Sequence, residues 1–292
     1  MIVVFGSINV DVLVPVPHLP ERGETVLGTD YAIAPGGKGA NQALAARRAG
    51  SAVTMVGAVG DDAFAAMGLD LLRRDGVDLS LVATVDRPTA CAVITVDPNG
   101  ENLIAVASGA NLLASAEQVP DHLIGPDTVL VLQREVPDAE NAALIRRARQ
   151  RAARIVLSLA PAGPIAPARL ADIDLLVANA VEAATLGGDP PGVARGLRQA
   201  LVVTRGGAGA TAFLAGGGAV DIPALAIEPV DTTGAGDTFA GVLAAGLDQG
   251  LPLDAALRRA SAAAALACLA LGAQQAMPGR AAIDEAAARL RR

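Results

Sequence analysis

Short apolar runs rich in β-branched residues alternate along this chain with longer stretches of helical periodicity. The apolar runs occupy residues 2–5, 52–56, 128–132, 155–158, 175–178 and 201–204. Runs of this kind are typical of parallel strands that are buried on both faces. Helical patterns lie at residues 40–49, 138–153, 167–171, 236–249, 253–271 and 281–290. The alternation predicts an α/β fold with a doubly wound, mainly parallel sheet flanked by helices.

Two segments interrupt this rhythm. Residues 25–34 alternate in strand fashion, and residues 89–96 pair with residues 102–107 across the turn Asp97-Pro98-Asn99-Gly100, in which Asn-Gly is a strong hairpin signal. We interpret the segments, at about 11–36 and 89–107, as a small β lid over the edge of the sheet. A surface hairpin without a function fits the pattern equally well. No repeat or linker divides the chain, so residues 1–292 are treated as one domain.

The composition excludes several classes of protein. Of 292 residues, 52% are hydrophobic and 18% are charged, which excludes a disordered, collagen-like or coiled-coil chain. A net charge of -7 disfavours binding to nucleic acid or to anionic membranes through bulk charge. With two cysteines and two histidines, a disulfide scaffold and a four-cysteine zinc site are excluded and triad hydrolysis is disfavoured, so the chemistry must rest on carboxylates. No signal peptide or apolar stretch of ~20 residues is evident, and we expect a cytoplasmic protein.

The strongest local signal is the sequence DTTGAGDTF at residues 231–239, directly before a helical pattern. Glycines before a helix leave backbone N–H groups free at the positive end of the helix dipole, where a phosphate or a developing anion can bind. Asp237 at this point could take a proton from a substrate hydroxyl. The alternative is that Asp237 is only an acidic residue of the first helical turn and that the glycines form a tight turn.

A second glycine loop opens a helix at residues 36–43, with the sequence GGKGANQA. It is not a Walker A loop, because Gly39 replaces the required Ser or Thr and Ala32 stands where the first glycine should be. No GxGxxG follows the first strand, so a dinucleotide-binding enzyme is not indicated. Lys38 and Asn41 could each contact a hydroxyl or a phosphate, or they could be a solvated lysine and an ordinary polar residue of a first helical turn.

Further polar groups follow the predicted strands directly. Asn9 and Asp11 come after the first strand, Glu135 after the third, and Asn179 with Glu182 after the fifth, while residues 204–209 follow the sixth. In open α/β sheets, ligands bind at the carboxyl ends of the strands. Each group alone could be an ordinary loop residue, but together they would face one crevice.

In this combination the chain resembles the ribokinase-like (PfkB) carbohydrate kinases. The resemblance runs from residue 3 to about residue 278, and it rests on GSINVD at 6–11, GGKGANQA at 36–43, NxxE at 179–182 and DTTGAGDTF at 231–239. It implies a three-layer fold with a β lid that closes over a sugar and forms a homodimer. The implied activity is ATP-dependent phosphorylation of the primary hydroxyl of D-ribose, which gives ribose 5-phosphate, with Asp237 as the general base.

The same resemblance implies the role of each site residue. The sugar pocket would comprise Asn9, Asp11, Gly37, Lys38, Gly39, Asn41, Glu135 and Asp237. Backbone N–H groups of Gly234, Ala235 and Gly236 would stabilise the phosphoryl group in transfer. ATP would contact Asn179, Thr204, Arg205, Gly206, Gly207, Ala208, Gly209, Gly236 and Ser261. Glu182 would organise Mg²⁺ through water, and a monovalent cation, K⁺, would be bound by Asp231, Thr233, Ala267, Ala270 and Gly272, with Ala276 at its sixth position.

The chain departs from the family pattern at three places. Ser158 precedes Ala160-Pro161-Ala162 where Asn-Pro is frequent, Ser261 replaces a larger residue against adenine, and Ala276 stands where a serine hydroxyl is usual. Two alternatives therefore stay open. One is a related kinase for a nucleoside, fructose or a deoxy sugar. The near absence of aromatic residues argues against a pocket that stacks on a base, although Tyr31 and Phe64 could still do so. The other is a non-catalytic sugar or nucleotide sensor, which the joint presence of Asp237, Glu182 and the 234–236 loop disfavours.

Overall fold

The computed structural model describes residues 1–290, in which thirteen strands and nine helices alternate. The strands are β1 (Ile2–Phe5), β2 (Asn9–Pro15), β3 (Ala32–Gly36), β4 (Val53–Val59), β5 (Asp78–Thr84), β6 (Ala90–Val96), β7 (Asn102–Ala107), β8 (Val129–Leu132), β9 (Arg154–Ser158), β10 (Leu175–Asn179), β11 (Ala200–Thr204), β12 (Ala210–Leu214) and β13 (Ala219–Ile222). The helices are α1 (Lys38–Arg48), α2 (Ala63–Arg74), α3 (Asp138–Gln150), α4 (Pro167–Leu170), α5 (Ala180–Ala184), α6 (Pro190–Arg195), α7 (Ala235–Asp248), α8 (Leu253–Ala267) and α9 (Arg280–Arg289).

Nine strands form one large sheet in the order β13-β12-β11-β10-β9-β8-β1-β4-β5. Every pair from β11 to β5 is parallel, and only the β11–β12 and β12–β13 pairs at one edge are antiparallel. After β1 the chain runs to β4 on one side, and it later returns through β8 on the other. This reversal beside β1 opens a crevice at the carboxyl ends of the strands, where α/β folds bind ligands.

Helices cover both faces of the large sheet. Successive residues of β1 point to opposite sides, so Ile2 and Val4 pack in one apolar layer while Val3 and Phe5 pack in the other. The first layer contains residues of α1, α7, α8 and α9, and the second contains residues of α3 and α6. This explains why central strands such as β1 and β8 are apolar throughout, and it confirms the predicted three-layer α/β fold.

A separate four-stranded sheet has the order β3-β2-β6-β7 and is called the small sheet below. The predicted hairpin is present, with β6 and β7 antiparallel and Gly100 in the turn at a φ of 83°. Asn9 and Asp11 lie within β2 of this sheet rather than in a loop after β1, which corrects the prediction from the sequence. Only Gly6, Ser7 and Ile8 separate the two strands, so both side chains remain close to the end of β1.

Several predicted boundaries were wrong. The predicted strand 25–34 is formed only from Ala32 onward, because β2 pairs with residues 32–36 and the preceding, largely exposed residues have no strand partner. The helix predicted to reach residue 153 ends at Gln150, and the one predicted to reach residue 271 ends at Ala267. The patterns of α2, β5, α5, α6 and the β12–β13 hairpin were not recognised. Among residues 1–290, the helices are too short or too polar to cross a membrane.

Candidate active site

Two glycine loops lead into α1 and α7 at the carboxyl end of the large sheet. Gly37 precedes α1 with a φ of 91°, and a Cβ atom there would lie 2.7 Å from the backbone nitrogen of Asn9. Gly234 precedes α7 with a φ of 74°, and a Cβ atom there would lie 2.8 Å from Cβ of Ala273. Both positions therefore require glycine for conformation and for space.

The first turn of α7 has no side-chain cap from the described residues. The N–H of Ala235 donates to the carbonyl oxygen of Thr232 at 3.2 Å, so it is already engaged. Helices leave their first N–H groups without partners inside the helix, which makes Gly236 and Asp237 the donors that face a ligand here. The sequence analysis assigned this role to the N–H groups of Gly234, Ala235 and Gly236. The hydrogen bond of Ala235 removes one of these donors, and the anion site stays a prediction.

Asp237 is 7% exposed, and both of its carboxylate oxygens are engaged. Asn41 donates through Nδ2 to Oδ2 of Asp237 at 2.9 Å, and Gln42 donates through Nε2 to Oδ1 at 3.0 Å. Both amides belong to the GGKGANQA segment of α1, so the two glycine motifs meet at this carboxylate. Two neutral amide donors hold the carboxylate in one orientation, and among the described residues no cationic side chain donates a hydrogen bond to it.

Asp11, Lys38 and Glu135 form a charged cluster beside Asp237. Burial, reinforced by the charges of Glu135 and Asp237, raises the pKa of Asp11 to about 6, and Lys38 opposes this shift. The charge of Asp237 raises the pKa of Lys38 against the effect of burial, with further contributions from Glu135, Glu182 and Asp11. Lys38 is also the only lysine of the chain. The cluster presents charged hydrogen-bond donors and acceptors within one crevice, which suits a ligand with several hydroxyl groups.

Hydrogen bonds fix Glu135 and the glycine loop together. Oε2 of Glu135 accepts from Oγ of Ser7 at 2.6 Å and from the backbone N–H of Lys38 at 3.1 Å. Oγ of Ser7 in turn accepts from the N–H of Gly39 at 3.2 Å. A Cβ atom at Gly39 would lie 2.6 Å from the backbone nitrogen of Ser7, which explains the glycine there.

Asn9 is held by a residue that the sequence did not reveal. Nδ2 of Asn111 donates to Oδ1 of Asn9 at 2.7 Å, while Oδ1 of Asn111 accepts from the N–H of Ile8 at 3.0 Å. Asn111 is 1% exposed and lies in a 3₁₀ turn after β7, where no motif marks it. Ser7, Gln42 and Gln274 were likewise not predicted, although Ser7 and Gln42 lie within the quoted motifs and could have been found there.

Two neighbouring cavities that share lining residues lie beside Lys38 and Asp237. A cavity of about 190 Å³ lies between Lys38, Asp237, Ser158 and Glu182. A larger, mainly apolar cavity of about 370 Å³ is lined by Gly206, Gly207, Gly209, Ala224, Leu225, Ile227, Ala264, Ser261 and Cys268, among others. Asn179, Thr204 and Gly236 line both cavities. A flat apolar ligand in the larger cavity could thus reach Asp237 through the smaller one.

Two of the residues predicted at the nucleotide site make other contacts. The Arg205 guanidinium lies 3.5 Å from Oδ1 of Asp221, in an exposed ion pair. Ser261 lines the larger cavity, but its hydroxyl donates to the carbonyl oxygen of Pro223 at 2.8 Å. Ala208 lies in the 3₁₀ turn 206–208, whose glycines line the cavity. The glycine backbone, rather than the Arg205 side chain, forms this wall.

The candidate magnesium residue, Glu182, lies at the start of α5 and lines the smaller cavity. Among residues 1–290, no three His, Cys, Asp or Glu side chains come together as a metal cluster. Mg²⁺ in phosphoryl-transfer sites is commonly held by one or two carboxylates together with substrate phosphates. A single carboxylate facing a cavity of this size fits such a site.

The candidate residues for the monovalent cation lie around the loop that precedes α7. Oδ1 of Asp231 accepts from the N–H and the hydroxyl of Thr233, and Oδ2 accepts from the N–H of Gly272 at 2.8 Å. Burial opposes ionisation of Asp231, but these hydrogen bonds together lower the pKa of its carboxyl. Asp231, Thr233 and Gly272 therefore meet around one ionised carboxylate. Of the remaining candidates, Ala267 is buried at the end of α8, Ala270 is exposed and Ala276 is half-buried.

Comparison with known proteins gives the family. The model of the pfkB family carbohydrate kinases matches residues 1–280. The chain belongs to this family. The ribokinase of Bacillus subtilis (strain 168) is 38% identical over 289 residues, which cover 97% of this chain and 98% of that protein. The ribokinase of Lactococcus lactis subsp. lactis (strain IL1403) is 36% identical over 287 residues, which cover 94% of this chain and 93% of that protein.

A solved structure agrees with this assignment. The structure of Arabidopsis thaliana ribokinase complexed with ribose and ATP superposes with a TM-score of 0.88 at 30% identity, covering 98% of each chain. The resemblance inferred from four motifs is therefore confirmed at the level of family and fold.

Proposed function

We propose that this chain is an ATP-dependent kinase that phosphorylates the primary hydroxyl of D-ribose to give ribose 5-phosphate. The observation that carries the proposal is the position of Asp237. Its buried carboxylate is held by two amides and lies between the charged cluster of Asp11, Lys38 and Glu135 and the cavity that leads to the glycine-lined site. The similarity to ribokinases over nearly the whole length supports ribose as the sugar.

In the proposed reaction, Asp237 removes the proton from the primary hydroxyl as its oxygen attacks the γ-phosphorus of ATP. The new O–P bond forms while the bond from the γ-phosphorus to the β,γ-bridging oxygen breaks, so ADP leaves and the proton stays on Asp237. Asn41 and Gln42 keep the carboxylate aimed at the hydroxyl during this step. General-base catalysis of this kind typically contributes about 10²- to 10⁴-fold.

Charge that develops on the transferred phosphoryl group is stabilised by two features of this chain. The N–H groups of Gly236 and Asp237 point out of the first turn of α7, and the ammonium group of Lys38 lines the same cavity. Positioning and electrostatic stabilisation supply most of the catalysis in phosphoryl transfer. Mg²⁺, organised by Glu182 through water, would neutralise phosphate charge when bound.

The larger cavity is proposed to hold the nucleotide. Its apolar wall suits the faces of adenine, and the glycines at 206, 207 and 209 allow phosphate and ribose groups to approach the backbone. Asn179 and Thr204, which line both cavities, would lie along the phosphate chain. A K⁺ ion bound at Asp231, Thr233 and Gly272 would support the loop before α7.

The position of Tyr31 argues against its stacking on a nucleoside base. Tyr31 is 65% exposed and lines an open groove with Val12 and Val14. Because side chains alternate along a strand, Val12 and Val14 lie on the face of β2 opposite to Asp11. Tyr31 is therefore poorly placed to stack on a base bound beside Asp11.

The small sheet is proposed to act as a lid and as the interface of a homodimer. Asp11 on β2 belongs to the sugar cluster, so movement of this sheet would cover or uncover the sugar. All six residues of β7 are exposed, among them Leu103, Ile104 and Val106. An exposed apolar strand at a sheet edge is a typical surface for association with a second copy.

The test is phosphoryl transfer from ATP to a panel of D-ribose, 2-deoxy-D-ribose, D-fructose and adenosine, with the product identified by ³¹P NMR. The expected result is the largest kcat/KM for D-ribose and a phosphate ester at its primary carbon. A larger kcat/KM for adenosine than for D-ribose would contradict ribose as the preferred substrate. Absence of transfer to every member of the panel, with ATP still bound, would favour a sensor.

A further inference from the structure

The buried side chain of Gln274, which is distant in sequence, is hydrogen-bonded to the residues around Asp237. Gln274 lies between α8 and α9 and is 0% exposed. Its Nε2 donates to Oδ1 of Asn41 at 3.1 Å, and Nδ2 of Asn41 donates to Oδ2 of Asp237 at 2.9 Å. The three side chains form a continuous chain of hydrogen bonds that ends on the candidate base.

The direction of these hydrogen bonds fixes the Asn41 amide. The carboxylate of Asp237 accepts only, so it requires the NH₂ group of Asn41. Gln274 offers an NH₂ group to the opposite end, so it requires the carbonyl oxygen of Asn41. If Asn41 were turned by 180°, its oxygen would face a carboxylate, and, unless the Gln274 amide turned as well, its NH₂ group would face another NH₂ group.

The backbone around Gln274 is anchored to the helix that carries Asn41. Nη1 of Arg48 donates to the carbonyl oxygen of Gln274 at 2.7 Å and to that of Met277 at 2.9 Å. Arg48 and Asn41 both belong to α1, so the segment 274–277 and the Asn41 backbone keep a fixed relation. The backbone that carries the Gln274 side chain is thereby held beside Asn41.

The other end of the Gln274 amide shows that packing alone does not explain this residue. Its Oε1 is buried and has no hydrogen-bond partner among the described residues. A buried unpaired carbonyl is unfavourable, and an apolar side chain of similar length would avoid it. The one interaction that an apolar side chain could not supply is the donation to Asn41.

We propose that Gln274 is a positioning residue that sets which end of the Asn41 amide faces Asp237 and the sugar. In this orientation, one hydrogen of Nδ2 is bound to Asp237 and the second remains available to an oxygen atom of the substrate. Gln274 thus acts through Asn41 on both the aim of the base and the binding of the sugar. The inference rests on the proposed role of Asp237 as the base.

The test compares Gln274→Met with Gln275→Met, a neighbouring exposed glutamine, in steady-state kinetics on the sugar that the wild type uses best. Gln274→Met is expected to lower kcat/KM for the sugar by about 10-fold or more while KM for ATP stays unchanged. Gln275→Met is expected to behave as wild type. In an Asn41→Ala background, Gln274→Met should have less than about a twofold further effect, because the residue through which it acts is gone. A full, independent loss in that background would overturn the proposal.

A second variant, Gln274→Glu, keeps the shape and exchanges the donor for an ionisable acceptor. The ionised carboxyl is expected to reorient Asn41 and depress activity, whereas the protonated carboxyl can donate to Asn41 again. The activity of Gln274→Glu relative to wild type should therefore rise as the pH falls, and a constant ratio would contradict the proposal. A purely structural role would change the melting temperature without this pH dependence. D-Ribose binding, measured by calorimetry on the same variants, needs no phosphoryl transfer and so separates this proposal from the proposed reaction.

Discussion

Glu182 and Asn179 cap each other at the start of α5. Oε2 of Glu182 accepts from the backbone N–H of Asn179 at 2.9 Å, and Oδ1 of Asn179 accepts from the N–H of Glu182 at 2.8 Å. This reciprocal pair is a capping box, so the NxxE pattern has a structural role that is independent of any ligand. The cap uses one oxygen of the Glu182 carboxylate and leaves its negative charge for a metal.

Glu182→Gln separates the two roles. The amide oxygen can still accept from the N–H of Asn179, so the melting temperature should hardly change, but the charge is lost. The Mg²⁺ concentration for half-maximal activity is expected to rise about 10-fold or more in a titration at fixed ATP. An unchanged Mg²⁺ dependence would show that Glu182 only caps the helix. Glu182→Ala, which loses both functions, should also lower the melting temperature.

Asp237→Asn tests the base. The variant cannot accept the proton, and its NH₂ group would face one of the two amide donors that hold the native carboxylate. We expect kcat to fall about 10²- to 10⁴-fold while ATP binding persists. Asp248→Asn, at the other end of α7, serves as the matched control and should keep the wild-type kcat. Retention of more than about a tenth of kcat in Asp237→Asn would contradict the role of this residue as the base.

The raised pKa of Asp11, at about 6, predicts a pH-dependent affinity for the sugar. Below that pH the carboxyl is protonated and can no longer accept two hydroxyl hydrogen bonds. KM for the sugar should rise as the pH falls through about 6, and KM for ATP should not. The variant Asp11→Asn should show a raised KM for the sugar that does not vary over the same range. Kinetics from pH 5 to pH 8 decide between these outcomes.

The same shift makes a prediction about stability. Because burial raises the pKa of Asp11 above its unfolded value, the native state binds this proton more tightly, and ionised Asp11 opposes folding. Asp11→Asn should therefore raise the melting temperature above pH 6, by an amount that shrinks as the pH falls towards 4. Melting curves at several pH values show whether Asp11→Asn melts above or below the wild type. An equal or lower melting temperature for the variant at pH 8 would contradict it.

K⁺ is expected to activate the enzyme, because Asp231 is ionised and lies with Thr233 and Gly272. Ala276 supplies no hydroxyl at the sixth position, so Ala276→Ser should lower the K⁺ concentration for half-maximal activation. The measurement is a KCl titration against a large-cation salt at constant ionic strength. Identical rates throughout would show that no cation site operates.

The exposed face of the small sheet should mediate a homodimer. Ile104 is 57% exposed on β7, and Ile104→Glu would place a charge in the proposed interface. Sedimentation velocity is expected to show a dimer for the wild type and a shift towards monomer for the variant. Val181→Glu, at an apolar position on α5 that is 75% exposed, should leave the mass unchanged. A monomeric mass for the wild type would contradict the proposed homodimer.

Local patterns in the sequence were sufficient for six of the nine strands of the large sheet and for the two glycine loops, whereas β5, β12 and β13 were missed. Strands such as β1 and β8 are buried on both faces and must be apolar throughout, which makes them visible without tertiary information. The loops at Gly37 and Gly234 require backbone conformations that favour glycine, so they can be recognised from the glycines in the sequence. Because parallel strands end at one edge, the sequence also predicted that Asn9, Glu135 and Asn179 share a crevice.

Contacts between distant segments were decided only by the tertiary structure. Asn111 supports Asn9, and Gln274 supports Asn41 across 233 positions, yet each is an ordinary amide in a segment without a motif. The small sheet likewise takes β2 from a segment that reads as a loop, because pairing with β3 and β6 decides that it is a strand. Sequence patterns record the backbone conformation and burial of each segment, whereas a hydrogen bond between two buried amides depends on where separate segments meet in space.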